Sequence, residues 1–199
     1  MKTARYLLWA LVAAAVIGLG VLLLRHERPA PTPPKSTQTA MTFGGPFTLV
    51  GSDGQPFSST KLAGQPYALF FGYTQCPDVC PTTLARLVRL RRQLDEGEEP
   101  FRIVFVSVDP KHDTPTEVGR YTELFGAPVV GLTGSPAQID QVKKTFGVYS
   151  QKVDNGDGTY TVDHTATVML FGKDGKFVST IAPDEGDEAA LAKLKRIAA

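Results

Sequence analysis

Two nearly continuous apolar runs, Tyr67–Tyr73 (YALFFGY) and Phe101–Asp109 (FRIVFVSVD), constrain this chain more than any other feature. A strand with one face in water alternates apolar and polar side chains, whereas an unbroken run of aromatic and β-branched residues fits a strand covered on both faces. Between the runs Pro81 suits the first turn of a helix. Leu84, Leu87 and Leu90 then fall toward one side, with Arg86, Arg89, Arg91 and Arg92 mostly on others. Buried strand, helix, buried strand is the signature of a sheet layered with helices.

The rest of the chain continues the alternation. Thr114-Pro115-Thr116-Glu117 supplies a cap, a proline at the first helical position and an acid in the first turn, predicting a helix through Leu124. VVGLTG (129–134) reads as a strand, and Ser135-Pro136 starts a helix through about Phe146. TYTVD (159–163), ATVMLFG (166–172) and KFVSTIA (176–182) read as strands, with a loop at Asn155-Gly156-Asp157-Gly158, a turn at Lys173-Asp174-Gly175 and a last helix from Ala189 to Ala198. FTLV (47–50) and PFSST (56–60), joined through Gly51-Ser52-Asp53-Gly54, form an N-terminal hairpin. This order predicts a thioredoxin-like α/β sandwich over residues 43–199.

Ahead of it, Leu7–Leu24 is an uninterrupted apolar run preceded by Lys2 and Arg5. As a helix its roughly 18 residues would just cross a ~30 Å hydrocarbon layer. The RHERPAPTPP that follows is a poor cleavage site, so residues 1–28 read as an uncleaved N-terminal membrane anchor rather than a removed signal peptide. Residues 29–42, rich in proline and small polar side chains, read as a semi-extended linker. A short amino-terminal tail before a long folded domain favours the domain on the outer side of the membrane. With 21 basic and 20 acidic residues, the formal charge of +1 gives no electrostatic footprint for nucleic acid.

The only cysteines, Cys76 and Cys80, lie in GYTQCPDVCP, in the loop leaving the first buried strand and at the start of the following helix. Unsatisfied N–H groups at a helix N-terminus stabilise a thiolate, so both sulfurs are candidate ligands or nucleophiles. A redox dithiol, a metal clip and a structural disulfide all fit the spacing. The last gains little, because closing so short a loop removes little unfolded-state entropy. His164, where TYTVD ends and ATVMLFG is about to begin, can face the cysteines from one end of the sheet, although a lone histidine is more often a surface or core residue. Two thiolates and one imidazole suit copper better than structural zinc, which wants four protein ligands. His112, in Asp109-Pro110-Lys111-His112-Asp113, is a competing ligand candidate in turn-like, charged surroundings. His26 lies beside the membrane segment. Asp78 and Asp163 could tune the site or serve only as a turn residue and a strand-end cap, and Asp109 could simply cap the turn after its strand.

GYTQCPDVCP (72–81), SVDPKHDTP (107–115) and DHTATVML (163–170) resemble, in order and spacing, the signature segments of the SCO/SenC proteins. These are membrane-tethered, thioredoxin-fold proteins that help assemble the copper centre of cytochrome c oxidase. The resemblance implies that Cys76, Cys80 and His164 bind copper, as Cu(I) or Cu(II), and that the two cysteines also cycle between dithiol and disulfide. It implies as partners the copper-bearing oxidase subunit and a protein that donates copper. It further implies a single-pass anchor in the inner membrane with the soluble domain on the periplasmic side. A metallochaperone and a thiol-disulfide reductase would use the same two sulfurs, so the sequence leaves both open. A peroxidase-like or redox-sensing relative would not need His164. His112 departs from the family's commoner pattern, in which an arginine is frequent in that segment.

Overall fold

The computed structural model describes residues 43–94, 97 and 99–199, together with Val16, Ile17 and Leu19. The anchor expected over 1–28, those three residues aside, and the linker expected over 29–42 lie outside the described residues. Among the described residues no helix is long and apolar enough to cross a membrane.

The unit from residue 42 onward is built on a seven-stranded sheet. Its strands are β1 (Thr48–Gly51), β2 (Pro56–Ser58), β3 (Tyr67–Gly72), β4 (Arg102–Ser107), β5 (Val130–Thr133), β8 (Val168–Phe171) and β9 (Phe177–Ile181), in the order β2-β1-β5-β4-β3-β8-β9. β3, β4 and β5 run parallel, while β1, β8 and β9 join antiparallel to their neighbours. All six residues of β3 are buried, as are five of the six in β4, which is what the unbroken apolar runs require.

The connecting helices are α1 (Val79–Arg91), α2 (Pro115–Glu123) and α3 (Pro136–Thr145), and α4 (Asp187–Ala198) closes the chain. Thr114 caps α2 by accepting from the Glu117 amide at 3.2 Å, and Ser135 caps α3 in a reciprocal pair with Gln138. α2 lies so close to β5 that a Cβ on Gly131 would stand 2.6 Å from the Val118 side chain. α1 and α4 pack together, clasped by Asp187, which accepts from Arg86 at 2.8 Å and Arg89 at 2.7 Å.

The core is heavily aromatic. Phe146 meets Phe47, Phe71 and Phe171 at centroid separations of 5.8 Å, and Tyr67 stacks on Phe171 at 4.6 Å. Each fully buried phenylalanine contributes about 1.5–3 kcal/mol by leaving water. Strands and helices in this order form the expected thioredoxin-like sandwich.

Two features depart from expectation. Arg91 does not join the solvent face of α1 but is buried, its guanidinium donating to the carbonyls of Phe101 at 3.4 Å and Pro128 at 2.9 Å. A long side chain whose head finds carbonyl partners can turn inward despite its charge. The second is a strand the pattern did not announce, β6 (Ser150–Asp154), which pairs with β7 (Tyr160–His164) as a separate two-stranded ribbon.

Candidate metal centre

β3 delivers the chain to the Cys76 loop, and α1 then places Cys80 in its first turn, fully buried against the sheet. The neighbouring strand position must be a glycine: a Cβ on Gly72 would lie 2.7 Å from the Cys80 sulfur and 3.0 Å from the Phe105 ring. Cys76 is half-buried, and its sulfur accepts a hydrogen bond from the Cys80 backbone N–H at 3.4 Å. Both cysteines are free thiols.

His164 is the last residue of β7, not the opening of β8, which starts only at Val168. Its ring packs edge-on against Tyr73, with centroids 5.9 Å apart, and against Phe70 at 6.0 Å. Nδ1 lies 3.1 Å from the Thr165 carbonyl, which can only accept, so Nδ1 carries the proton and Nε2 presents its lone pair. That Nε2 is 3.4 Å from the Cys80 sulfur. The two sulfurs and a ring nitrogen of His164 all lie within 4.8 Å of one another, bringing together the three residues singled out from sequence. Among the described residues no other cysteine, histidine or carboxylate joins this group.

Burial lowers the His164 pKa, with the Thr165 carbonyl and the Asp163 charge acting in the opposite sense, so the ring is neutral at physiological pH. Burial also pushes the Cys80 thiol well up, outweighing the backbone N–H of Tyr73 that favours the thiolate. The expectation that the helix N-terminus would lower the pKa of Cys80 therefore fails, because the sulfur sits too deep for the helix end to offset its desolvation. Without metal, the Cys80 S–H donates to Nε2. A cation that drives off this proton would find a buried thiolate and a pre-oriented imidazole.

Cys76 and His164 open onto a cleft of about 330 Å³ lined also by Tyr73, Pro77, Val79 and Asp163. A larger groove of about 410 Å³ between β1 and α3 contains none of the predicted site residues.

The remaining candidates fall into place around this centre. Asp78 precedes α1 and accepts from the Thr82 hydroxyl at 3.2 Å. Asp163 is exposed on β7 opposite Gln151. His112 is outside the donor group; its Nδ1 is 3.1 Å from Asp113 Oδ1. Asp109 does more than cap a turn: its carboxylate is buried and pairs with Lys152 at 2.7 Å.

Sequence reasoning missed Asp113. It is 1% exposed and accepts from the Thr74 amide at 3.0 Å, the Thr74 hydroxyl at 2.6 Å and the Ser107 hydroxyl at 2.5 Å. One carboxylate thus ties the cysteine loop to the end of β4. Sequence reasoning also passed over Gly72, and a signal was present for each: Asp113 lies within SVDPKHDTP, and Gly72 ends an otherwise bulky strand, where glycine marks a close approach.

The SCO1/SenC family model matches residues 35–199. The chain is 33% identical over 175 residues to an SCO2-like protein of Rickettsia prowazekii, covering 84% of this chain and 85% of that one. Among solved structures it is similar to Bradyrhizobium japonicum ScoI with copper bound, at 41% identity and a TM-score of 0.71, over 78% of this chain and 99% of that chain. It is also similar to BsSco, described as having a disulfide switch and as a member of the Sco family of cytochrome c oxidase assembly proteins. That match has 25% identity and a TM-score of 0.61, over 77% of this chain and 92% of the other. With the match running across the whole described domain, this chain belongs to the SCO1/SenC family.

Proposed function

We propose that this protein binds copper through Cys76, Cys80 and His164 and delivers it to the copper-bearing subunit during assembly of cytochrome c oxidase. The observation that carries this reading is the convergence of two thiol sulfurs and one neutral, oriented imidazole within 4.8 Å. The copper-bound state of the Bradyrhizobium relative and the description of BsSco as an oxidase assembly protein support it. Soft sulfur donors with one imidazole suit Cu(I) and accommodate Cu(II).

The burial gradient suits a carrier. Cys80 is enclosed and retains its grip, whereas Cys76 and His164 border the open cleft, where an acceptor's ligands can approach. Joining the two sulfurs as a disulfide removes both thiolate donors, so binding is gated by redox state. The apolar run Leu7–Leu24 supports a single-pass anchor holding the domain on the periplasmic side of the inner membrane, and a copper donor protein would load it there.

A second reading, a thiol-disulfide reductase acting on the acceptor's copper-ligand cysteines, is favoured by one observation. The two free thiols are unequal, one half-exposed and one buried. Cys76 would attack an acceptor disulfide to form a mixed disulfide, and Cys80 would then displace it. The acceptor leaves as a dithiol, two electrons and two protons richer, and this chain keeps a Cys76–Cys80 disulfide. Mixing the reduced, Cu(I)-loaded protein with the reduced acceptor peptide, and the reduced metal-free protein with the oxidised one, separates the roles. Copper transfer to the reduced peptide supports the carrier, thiol release from the oxidised peptide supports the reductase, and absence of the first overturns the carrier reading.

A further inference from the structure

The donors come from parts of the fold that share no backbone ladder. Cys76 and Cys80 follow β3 of the main sheet, whereas His164 ends β7, whose ladder partner is β6. The short link from His164 to β8, the burial of Val162 and side-chain contacts together set the ribbon's position over the cysteine loop. Among those side chains the one that reaches both strands of the ribbon is Asp109, 1% exposed and just beyond the end of β4. One of its oxygens is 2.7 Å from Lys152 Nζ on β6, and the other accepts a hydrogen bond from the Tyr160 hydroxyl on β7. The Lys152 ammonium also lies over the Tyr160 ring, 3.8 Å from its centroid. One buried carboxylate thus grips both strands of the ribbon.

The register carries this grip to the metal centre. Lys152 pairs with Val162, Tyr160 stands two residues before Val162, and His164 two after it. Side chains two apart on a strand share a face, so Tyr160, Val162 and His164 line the same side of β7, with Val162 buried at 5% exposure. Fixing Tyr160 fixes where that face lies, about 13 Å along the strand at ~3.3 Å per residue.

We propose that Asp109 is a positioning residue for His164, holding the β6–β7 ribbon through Tyr160 and Lys152 so that the imidazole meets the two sulfurs. The inference rests on the reading of Cys76, Cys80 and His164 as copper ligands. Loss of Asp109 leaves the three donors intact and lets the ribbon lift, because exposed Lys152 and half-buried Tyr160 then lose the one group that ties them to the end of β4.

The test uses the reduced full chain with Cu(I) in competition with a chelator, and amide hydrogen exchange of the metal-free protein. Asp109→Ala and Tyr160→Phe are expected to weaken Cu(I) binding by about 10–100-fold, the range for lost outer-shell partners. They also speed exchange at Val162 and His164 while leaving Leu69 and Val104 in the central sheet protected. In a His164→Ala background, Asp109→Ala should cost less than about threefold more, because a residue acting through His164 has nothing left to position. Tyr160→Phe deletes one hydroxyl without opening a cavity, so it decides the matter if Asp109→Ala fails to fold. Unchanged Cu(I) affinity and exchange in Tyr160→Phe, or an undiminished Asp109→Ala penalty in the His164→Ala background, overturns the proposal. If His164→Ala alone binds Cu(I) as well as the unaltered chain, the ligand reading fails instead, and ribbon exchange still reports whether Asp109 holds β6–β7.

Discussion

The Cys80 sulfur, at the start of α1, lies 3.4 Å from Nε2 of His164, a residue 84 positions further along the chain at the end of the β6–β7 ribbon. In the metal-free protein this contact is a thiol donating to an imidazole, because burial favours the neutral form of both groups. On the proposed reading, Cys80 and His164 would hold copper where they now share this proton.

Gly72 sets the depth of Cys80. Gly72→Ala forces a methyl group to 2.7 Å from the sulfur and 3.0 Å from the Phe105 ring. Overpacking of this kind costs about 1–3 kcal/mol, read as a lower denaturant midpoint, and here it should also weaken Cu(I) binding by displacing Cys80. A variant with unchanged midpoint and unchanged affinity would show that the sulfur has room to move.

Asp113 should behave as the anchor of the cysteine loop. Asp113→Ala orphans the Thr74 amide and the Thr74 and Ser107 hydroxyls. At about 1–3 kcal/mol for a buried group left unpaired, stability should fall measurably in urea, and amide exchange around Thr74 and Cys76 should accelerate. If exchange rises uniformly through β3 and β4 instead, Asp113 serves the core as a whole.

The pH dependence of the metal-free, reduced domain follows from two opposite shifts. The His164 pKa is lowered in the folded state, so between its folded and unfolded values the unfolded chain holds more protons. Its contribution is complete above about pH 6.5 and lost as pH falls below it. The Cys80 pKa is raised, so its contribution is present below the unfolded thiol value of about 8.5 and lost as pH rises beyond it. Stability should therefore plateau between these limits. Cys80→Ser should remove the part of the alkaline decline that sets in above about pH 8.5. The later part, above about pH 10, is left to the buried Tyr67, Tyr73 and Tyr121, whose pKa values burial also raises. An early decline identical in that variant would assign it to other groups.

The clasp between α1 and α4 predicts a separate acid sensitivity. Hydrogen bonds from Arg89 and Arg86 lower the pKa of Asp187, so its contribution is present above the unfolded value and lost as pH falls through the folded one. Asp187→Asn should flatten the stability profile below about pH 4, while Cu(I) affinity stays unchanged at neutral pH. A loss of copper affinity in that variant would mean the clasp reaches the metal centre.

How much of this could be read from sequence depended on burial. β3 and β4 are enclosed on both faces, and that enclosure leaves nearly continuous apolar runs that cannot be mistaken for an exposed strand. α2 and α3 announce themselves through Thr114 and Ser135, whose caps are local chemistry. β6 is silent because four of its five residues are exposed and its pairing is set by β7, not by its own composition. The three donor residues were legible through resemblance, but not the residues that place them. Asp109 looks like a turn cap because its partners, Lys152 and Tyr160, come from a strand pair that sequence spacing does not bring near. Arg91 misleads for the same reason, its carbonyl partners lying in loops beyond its own helix.

The most direct test of the central claim is X-ray absorption at the copper edge on the reduced protein loaded with one equivalent of Cu(I), compared with the His164→Ala variant. The account predicts two sulfur scatterers and one imidazole per copper, with the imidazole signal absent from the variant. A spectrum with fewer than two sulfurs, or one that His164→Ala leaves unchanged, would contradict it.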